Sequence, residues 1–170
     1  MDADELLTSN AQIELQNICK YADENNIDAI SFHEINLWRS HSWKRIDNSY
    51  NLGWFVRLWR VTPDLMYNET NPGLHQQDYP QSITTIKKTD SVSVIHYGFD
   101  SDLSLAFKYF VYRSHGQTVW ALERLLDEKT LSLEKVDEKL FPPGLYINDD
   151  KPTQRSFSEA LAILEDYKQE

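Results

Sequence analysis

Apolar positions along this chain switch between two periods. From Thr8 to Asn25 the spacing is helical: Ala11, Leu15, Ile18, Cys19 and Ala22 fall on one face, which predicts a helix. Thr8 or Ser9 can cap its start and Asn25-Asn26 stops it. Residues 27–38 (IDAISFHEINLW) are rich in β-branched and aromatic side chains and carry no breaker, which predicts a strand. Residues 40–53 are polar and end in Gly53, so a loop is expected there. The segment 54–61 (WFVRLWRV) predicts a strand with Trp54, Val56 and Leu58 on one face and Phe55, Arg57 and Trp59 on the other. Thr62-Pro63-Asp64 is a turn signal, and residues 68–81 mix Pro and Gly with polar residues as a long loop. Two strands are expected near 82–88 and 91–97, the second closed by Gly98.

The remainder is helical in pattern. Ser101 or Asp102 can cap a helix carrying Leu103, Ala106, Phe107, Phe110 and Val111, with His115-Gly116 at its end. A second helix is expected from Gln117 to Glu128 and a short third over 132–140, before Pro142-Pro143-Gly144 breaks the chain. Ser156 and Glu159 have capping-box spacing and open a last helix with the face Phe157, Ala160, Leu161, Leu164 and Tyr167. The order is helix, strands, helices, which predicts a mixed α/β or α+β domain. At 170 residues the chain fits one compact unit with a real core.

Composition narrows the function classes. With 41% hydrophobic and 26% charged residues the chain is of ordinary globular type. A formal net charge of −10 repels polyanions, so no general nucleic-acid binding is expected. The charge is uneven: Arg39, Lys44, Arg45, Arg57 and Arg60 make a basic middle, followed by Lys87 and Lys88. Such a patch suits a phosphate-bearing small molecule, or is simply solvated. The single cysteine, Cys19, lies on the apolar helical face and is expected to be a buried thiol in a reducing compartment. No signal-peptide pattern and no run of ~18 apolar residues is present, so a cytoplasmic protein is expected. Peripheral membrane contact stays open, although no strongly basic amphipathic helix argues for it.

Several residues could carry chemistry. Asp2 and Asp4 sit at alternate positions in Asp2-Ala3-Asp4-Glu5; they can present hard oxygens to one Mg²⁺ or Mn²⁺, or merely favour the dipole of the helix that follows. His75 and Asp78 share the long loop and can supply a ligand, a phosphate hydrogen bond or a general base. Arg57 and Arg60, three apart on a strand, face opposite sides unless a bulge intervenes. His96 ends a strand before Tyr97-Gly98 and either faces a ligand or is buried among its core neighbours Val92 and Val94. Glu34 lies mid-strand beside His33 and is a second possible base. Of Trp38, Trp43, Trp54 and Trp59, Trp43 in the polar loop is the best candidate to stack on a sugar ring, and Trp59 the best candidate for core.

Taken in order, DADEL, a helix, GWFVRLWR, LHQQ and VIHYG resemble the family 2 glycosyltransferases of the GT-A fold over about residues 2–115. That resemblance implies a partial GT-A-like mixed sheet in an α/β fold that lacks its N-terminal nucleotide-binding half. Residues 1–100 would be the acceptor-side part, with 101–170 a helical C-terminal region packed on it. It implies metal-binding roles for Asp2 and Asp4 with Mn²⁺ or Mg²⁺, a loop role near phosphates and acceptor for His75, and substrate contacts for Arg57 and Arg60. The implied reaction is inverting transfer from a nucleotide-sugar donor to a hydroxyl of a carbohydrate or lipid-linked acceptor, with a carboxylate, Asp78 or Glu34, as base.

The chain departs from that pattern twice. Gln76 stands where the family has Glu, and only Met1 precedes Asp2. A fragment with little activity alone is therefore expected, or a binding and assembly module on the same scaffold. A homodimer covering the sheet edge left by the missing half is expected too.

Overall fold

The computed structural model describes residues 4–47, 53–67, 79–116, 123, 125–145 and 147–167. A short strand β1 (Glu5–Leu7) leads into helix α1 (Ala11–Glu24), then strands β2 (Ala29–Asn36), β3 (Trp43–Arg45), β4 (Trp54–Trp59) and β5 (Ile86–His96). Helix α2 (Asp102–Ser114) follows, then β6 (Leu133–Lys135), a 3-10 turn (Glu138–Leu140) and helix α3 (Phe157–Asp166). The main sheet has the order β1-β5-β2-β4, with β2 and β5 parallel and the two outer strands antiparallel to their neighbours. β3 and β6 form a separate two-stranded ribbon. The fold is thus mixed α/β with a mixed sheet.

Two irregularities shape that sheet. β2 runs evenly, but between Ile30 and Ser31 its β4 partners jump from Leu58 to Val56, so Arg57 is an extra, bulged residue. Between Phe32 and His33 the β5 partners jump from Thr89 to Ser93. The first bulge overturns the even alternation expected of 54–59. Leu58 pairs with Ile30 and Val56 with Ser31, so the two fall on opposite faces.

Apolar burial follows the pleat. Ile30 and Phe32 of β2, with Val92 and Val94 of β5, pack under α1 through Ala11 and Ile18. On the other side, Ile35, Leu37 and Ile95 pack with Val136 and Phe141. A third cluster joins the ends of the molecule: Trp38 and Phe99 pack with Leu105, Ala106 and Tyr109 of α2, Leu125 and Leu126, and Ala160 and Leu164 of α3.

Side-chain caps open α2 and α3 as their sequences dictate, whereas α1 starts at Asn10 with no side-chain capping bond, so neither Thr8 nor Ser9 caps it. The Ser101 hydroxyl accepts from the Ser104 amide at the start of α2. At α3 the Ser156 hydroxyl accepts from the Glu159 amide while Glu159 reaches back to the Ser156 amide, a complete capping box.

Several expectations need correction. The two strands expected at 82–88 and 91–97 are one bulged strand, Ile86–His96. The polar loop 40–53 contains β3, which has its partner in β6. The short helix expected over 132–140 is that strand plus a 3-10 turn, so the C-terminal region is not purely helical. Backbone pairing with Trp43–Arg45 decides the outcome there, since so short a segment has no strong helical preference of its own. Cys19 is exposed, because α1 buries the face of Ala11 and Ile18 and turns position 19 outward. The helix expected over Gln117–Glu128 falls largely outside the described residues, as do Asp2, His75, Gln76 and Asp78.

Candidate functional site

The apolar face beneath α1 does not continue to the carboxyl ends of β2 and β5. After Ile30 and Phe32, the next side chains of β2 on that face are Glu34 and Asn36. Across the parallel ladder Glu34 pairs with Val94 and Asn36 with His96, and across the antiparallel one His96 pairs with Glu5. Three strands therefore deliver Glu34, Asn36, His96 and Glu5 to one polar patch. Ligands of open α/β sheets gather at carboxyl ends of strands of this kind.

Arg57 enters the patch because of the β4 bulge. Its guanidinium lies 5.5 Å from the Phe55 ring and forks onto Glu5, with Nε donating to Oε2 at 3.0 Å and Nη2 to Oε1 at 2.5 Å. Both side chains are buried. This is a fork-to-fork pair whose geometry Lys could not reproduce. Arg60, beyond the strand end, goes elsewhere: it pairs with Asp23 of α1 at 2.9 Å on the exposed surface. The two arginines do not act together.

Asp4 and Lys108 close the patch. Lys108 of α2 places its ammonium 3.1 Å from Asp4 Oδ2, and His96 Nε2 is 3.3 Å from the same oxygen. Gly98 makes this approach feasible. A Cβ there would sit 2.8 Å from Asp4 Oδ2 and closer still to the His96 imidazole. Gly53 does the same beside Glu34, where a Cβ would lie 3.0 Å from the Glu34 Cβ.

The electrostatics single out Glu34. Burial pushes its carboxyl up to about 7; the nearby Glu5 charge adds to the rise, while a hydrogen bond from Asn36 and the charges of Arg57 and Lys108 oppose it. Its nearest basic group, His96 Nδ1, is 3.7 Å away. His96 Nδ1 lies 2.7 Å from Asn36 Oδ1, so the ring stands between two acceptors, Asn36 and Asp4. An imidazolium would satisfy both, but burial and the Lys108 charge hold the His96 pKa below its ordinary value. A neutral ring donates to only one of them. Burial also works to raise Asp4, yet Lys108 and His96 outweigh it and keep Asp4 ionised below the usual carboxylate range. Beside the Glu5–Arg57 pair, the site thus holds a firmly charged carboxylate, Asp4, one that titrates near neutrality, Glu34, and an imidazole between them.

Of the residues expected from sequence, the structure brings together Asp4, Glu34, Arg57 and His96. Trp43 is apart, on β3, where its indole N–H donates to the Asp149 carbonyl at 3.2 Å. Lys108 and Asn36 were missed. Asn36 was legible from strand alternation with Glu34, whereas Lys108 carries no local signal, since a helix brings it in from another part of the chain.

A divalent ion asks for several hard oxygens. Among the described residues no group of three His, Cys, Asp or Glu side chains could hold one. Both Glu5 oxygens are taken by Arg57, and Asp4 Oδ2 already faces Lys108 and His96. Among the described residues no helix is long and apolar enough to cross a membrane. Compared with known proteins, the chain matches no protein-family model, no curated protein and no solved structure.

Proposed function

We propose that the patch at the carboxyl ends of β2 and β5 is the acceptor side of a metal-assisted sugar-transfer site of the family 2 glycosyltransferase kind. The observation that carries this reading is Glu34: a buried carboxyl titrating at about 7, set among Asp4 of the opening acidic motif, His96 and Lys108. A base poised near the working pH is what abstraction of a hydroxyl proton calls for. The acceptor oxygen bonds to the anomeric carbon, its proton passes to Glu34, and the electron pair of the breaking C–O bond leaves with the nucleoside diphosphate. Asp4, together with Asp2, would hold the Mn²⁺ or Mg²⁺ of such a site; when bound, the ion neutralises charge on the leaving diphosphate. Arg57 holds Glu5, and with it the start of β1, so that Asp4 stays at the mouth of the patch. A reducing, cytoplasmic setting accords with the lone exposed thiol of Cys19.

Mn²⁺ with UDP or GDP should raise the melting temperature of the wild-type chain, because only a ligand of the native state stabilises it. Asp4→Ala should abolish that rise. Absence of any rise with either nucleotide sinks the reading. A second reading, a binding or assembly module on the same scaffold, is favoured by one contact: Lys108 already neutralises Asp4. A folded wild-type chain indifferent to Mn²⁺ and nucleotide is the result that reading expects.

A further inference from the structure

One edge of the main sheet is only half covered. β1 pairs with β5 through Val94, Ile95 and His96. Beyond them the same side is covered as far as Ser91: the Thr8 amide donates to the Ser93 carbonyl at 3.0 Å, and the Asn10 side chain to the Ser91 carbonyl at 2.6 Å. Among the described residues no strand lies against 86–90 on this side. Toward β2, the Ala29 amide donates to the Thr85 carbonyl, and the parallel register carries that ladder on through Lys87 and Thr89. Backbone groups of a strand alternate between its two sides, so those of Ile86, Lys88 and Asp90 point to the open edge. Such a row of amides and carbonyls is a template for another strand.

The side chains decide which strand fits. Lys88 and Asp90 are exposed and share one face: the Lys88 ammonium lies 5.2 Å from the Trp54 ring, and the Asp90 charge acts on His33 beside that ring. Among the described residues neither is in an ion pair. A second copy related by a two-fold axis pairs antiparallel, and the edge offers two registers. Centred on Lys88, the pairing sets Lys88 against its own copy, which like charge opposes. Centred on Thr89, it sets Lys88 against Asp90 on both halves of the seam, with Thr89 against Thr89 in the middle. Opposite charges and paired threonines both favour antiparallel contact. Lysine on an edge strand guards against indiscriminate pairing; here it leaves one register in which the edge complements itself.

The helix layer repeats the match. Asn10 ties the start of α1 to Ser91, and after the helix Asp28 accepts from the Thr84 and Thr85 amides. α1 therefore runs back along the open edge, and Asn17 in its middle lines the same groove of about 660 Å³ as Thr89. A two-fold axis at Thr89 passes beside Asn17. Antiparallel about Asn17, two copies of α1 bring Glu14 level with Lys20 and Ile13 level with Tyr21. Ile13 is 71% exposed and Tyr21 47% exposed, so the seam covers apolar surface as well as matching charge.

We propose that the chain forms a two-fold dimer through this edge. Antiparallel pairing of residues 86–90 about Thr89 joins the two main sheets into one, and the two copies of α1 lie side by side on it. The edge is at the amino end of β5, away from the Glu34 patch at its carboxyl end. The dimer therefore does not depend on the sugar-transfer reading.

The test is sedimentation equilibrium of the full chain. Wild type should give twice the chain mass. Lys88→Glu and Asp90→Lys each set like charges opposite one another on both halves of the seam. Each should weaken the dimer roughly tenfold or more, with the far-UV circular dichroism unchanged, since both positions are exposed. An equimolar mixture of the two variants sets opposite charges together again at both places and should restore the dimer. The proposal is overturned if wild type sediments as a monomer at millimolar concentration, if either variant alone dimerises as tightly as wild type, or if the mixture stays monomeric.

Discussion

Two buried carboxylates in this molecule have opposite surroundings. Glu128 joins the core behind Trp38 to the C-terminal segment. It accepts from the Trp38 indole at 3.0 Å, from Arg39 Nη2 at 2.9 Å and from the Arg155 amide at 2.8 Å. Glu34, in the strand-end patch, has no guanidinium of its own: Arg57 is committed to Glu5, and Lys108 to Asp4. The first acid is saturated with donors and holds the structure together. The second is buried without enough of them, and its proton affinity rises to about 7. Burial of charge therefore has two meanings here, told apart by counting donors rather than by depth.

The largest expected effect breaks the saturated centre. Glu128→Ala strands the Arg39 guanidinium and frees the Trp38 N–H in the core, and should cost about 3–5 kcal/mol in urea unfolding. A loss below about 1 kcal/mol would remove the distinction drawn between the two acids.

Next in size is Glu34→Gln, with the opposite sign. The folded carboxyl titrates at about 7 against an ordinary value of 4.5. The native state therefore binds this proton more tightly than the unfolded one. The stability this confers is complete below pH 4.5 and is lost as pH rises through about 7. That gap corresponds to about 3 kcal/mol. Glu34→Gln should remove this slope from the pH dependence of unfolding, leaving the variant more stable than wild type at about pH 9. If wild type and variant keep parallel pH profiles from acid to alkaline, Glu34 is not the strained acid described.

How much of this was open to reading from sequence follows from where the information lies. The capping box at Ser156 and Glu159, the Ser101 cap, α1 and the cores of β2 and β4 are encoded within a few residues, and each is found close to where its pattern places it. The β4 bulge is not encoded that way. Nothing in WFVRLW marks Arg57 as the extra residue, because the bulge arises from pairing with β2. The strand at 133–135 likewise depends on a partner some ninety residues earlier in the chain. Of the site, Glu34, Asp4, Arg57 and His96 were chosen as single residues. Their joint placement required the parallel register of Asn36 against His96, which no local pattern sets.

The smallest effect sharpens the comparison most, because it separates electrostatic work from stability. Asp4 is 35% exposed, and its Lys108 partner is partly exposed as well. Such pairs contribute on the order of 0–1 kcal/mol, so Asp4→Asn should leave urea unfolding nearly unchanged. Its effect should appear at His96 instead. Burial and Lys108 lower the His96 pKa while Asp4 raises it, so removing the carboxylate takes away the leading support for the imidazolium. The His96 titration followed by NMR should move to lower pH, and the ring should stay neutral through the range where Glu34 ionises. A large loss of stability with the His96 titration unmoved would instead place Asp4 with Glu128, as a strut of the fold rather than a tuned charge at its open edge.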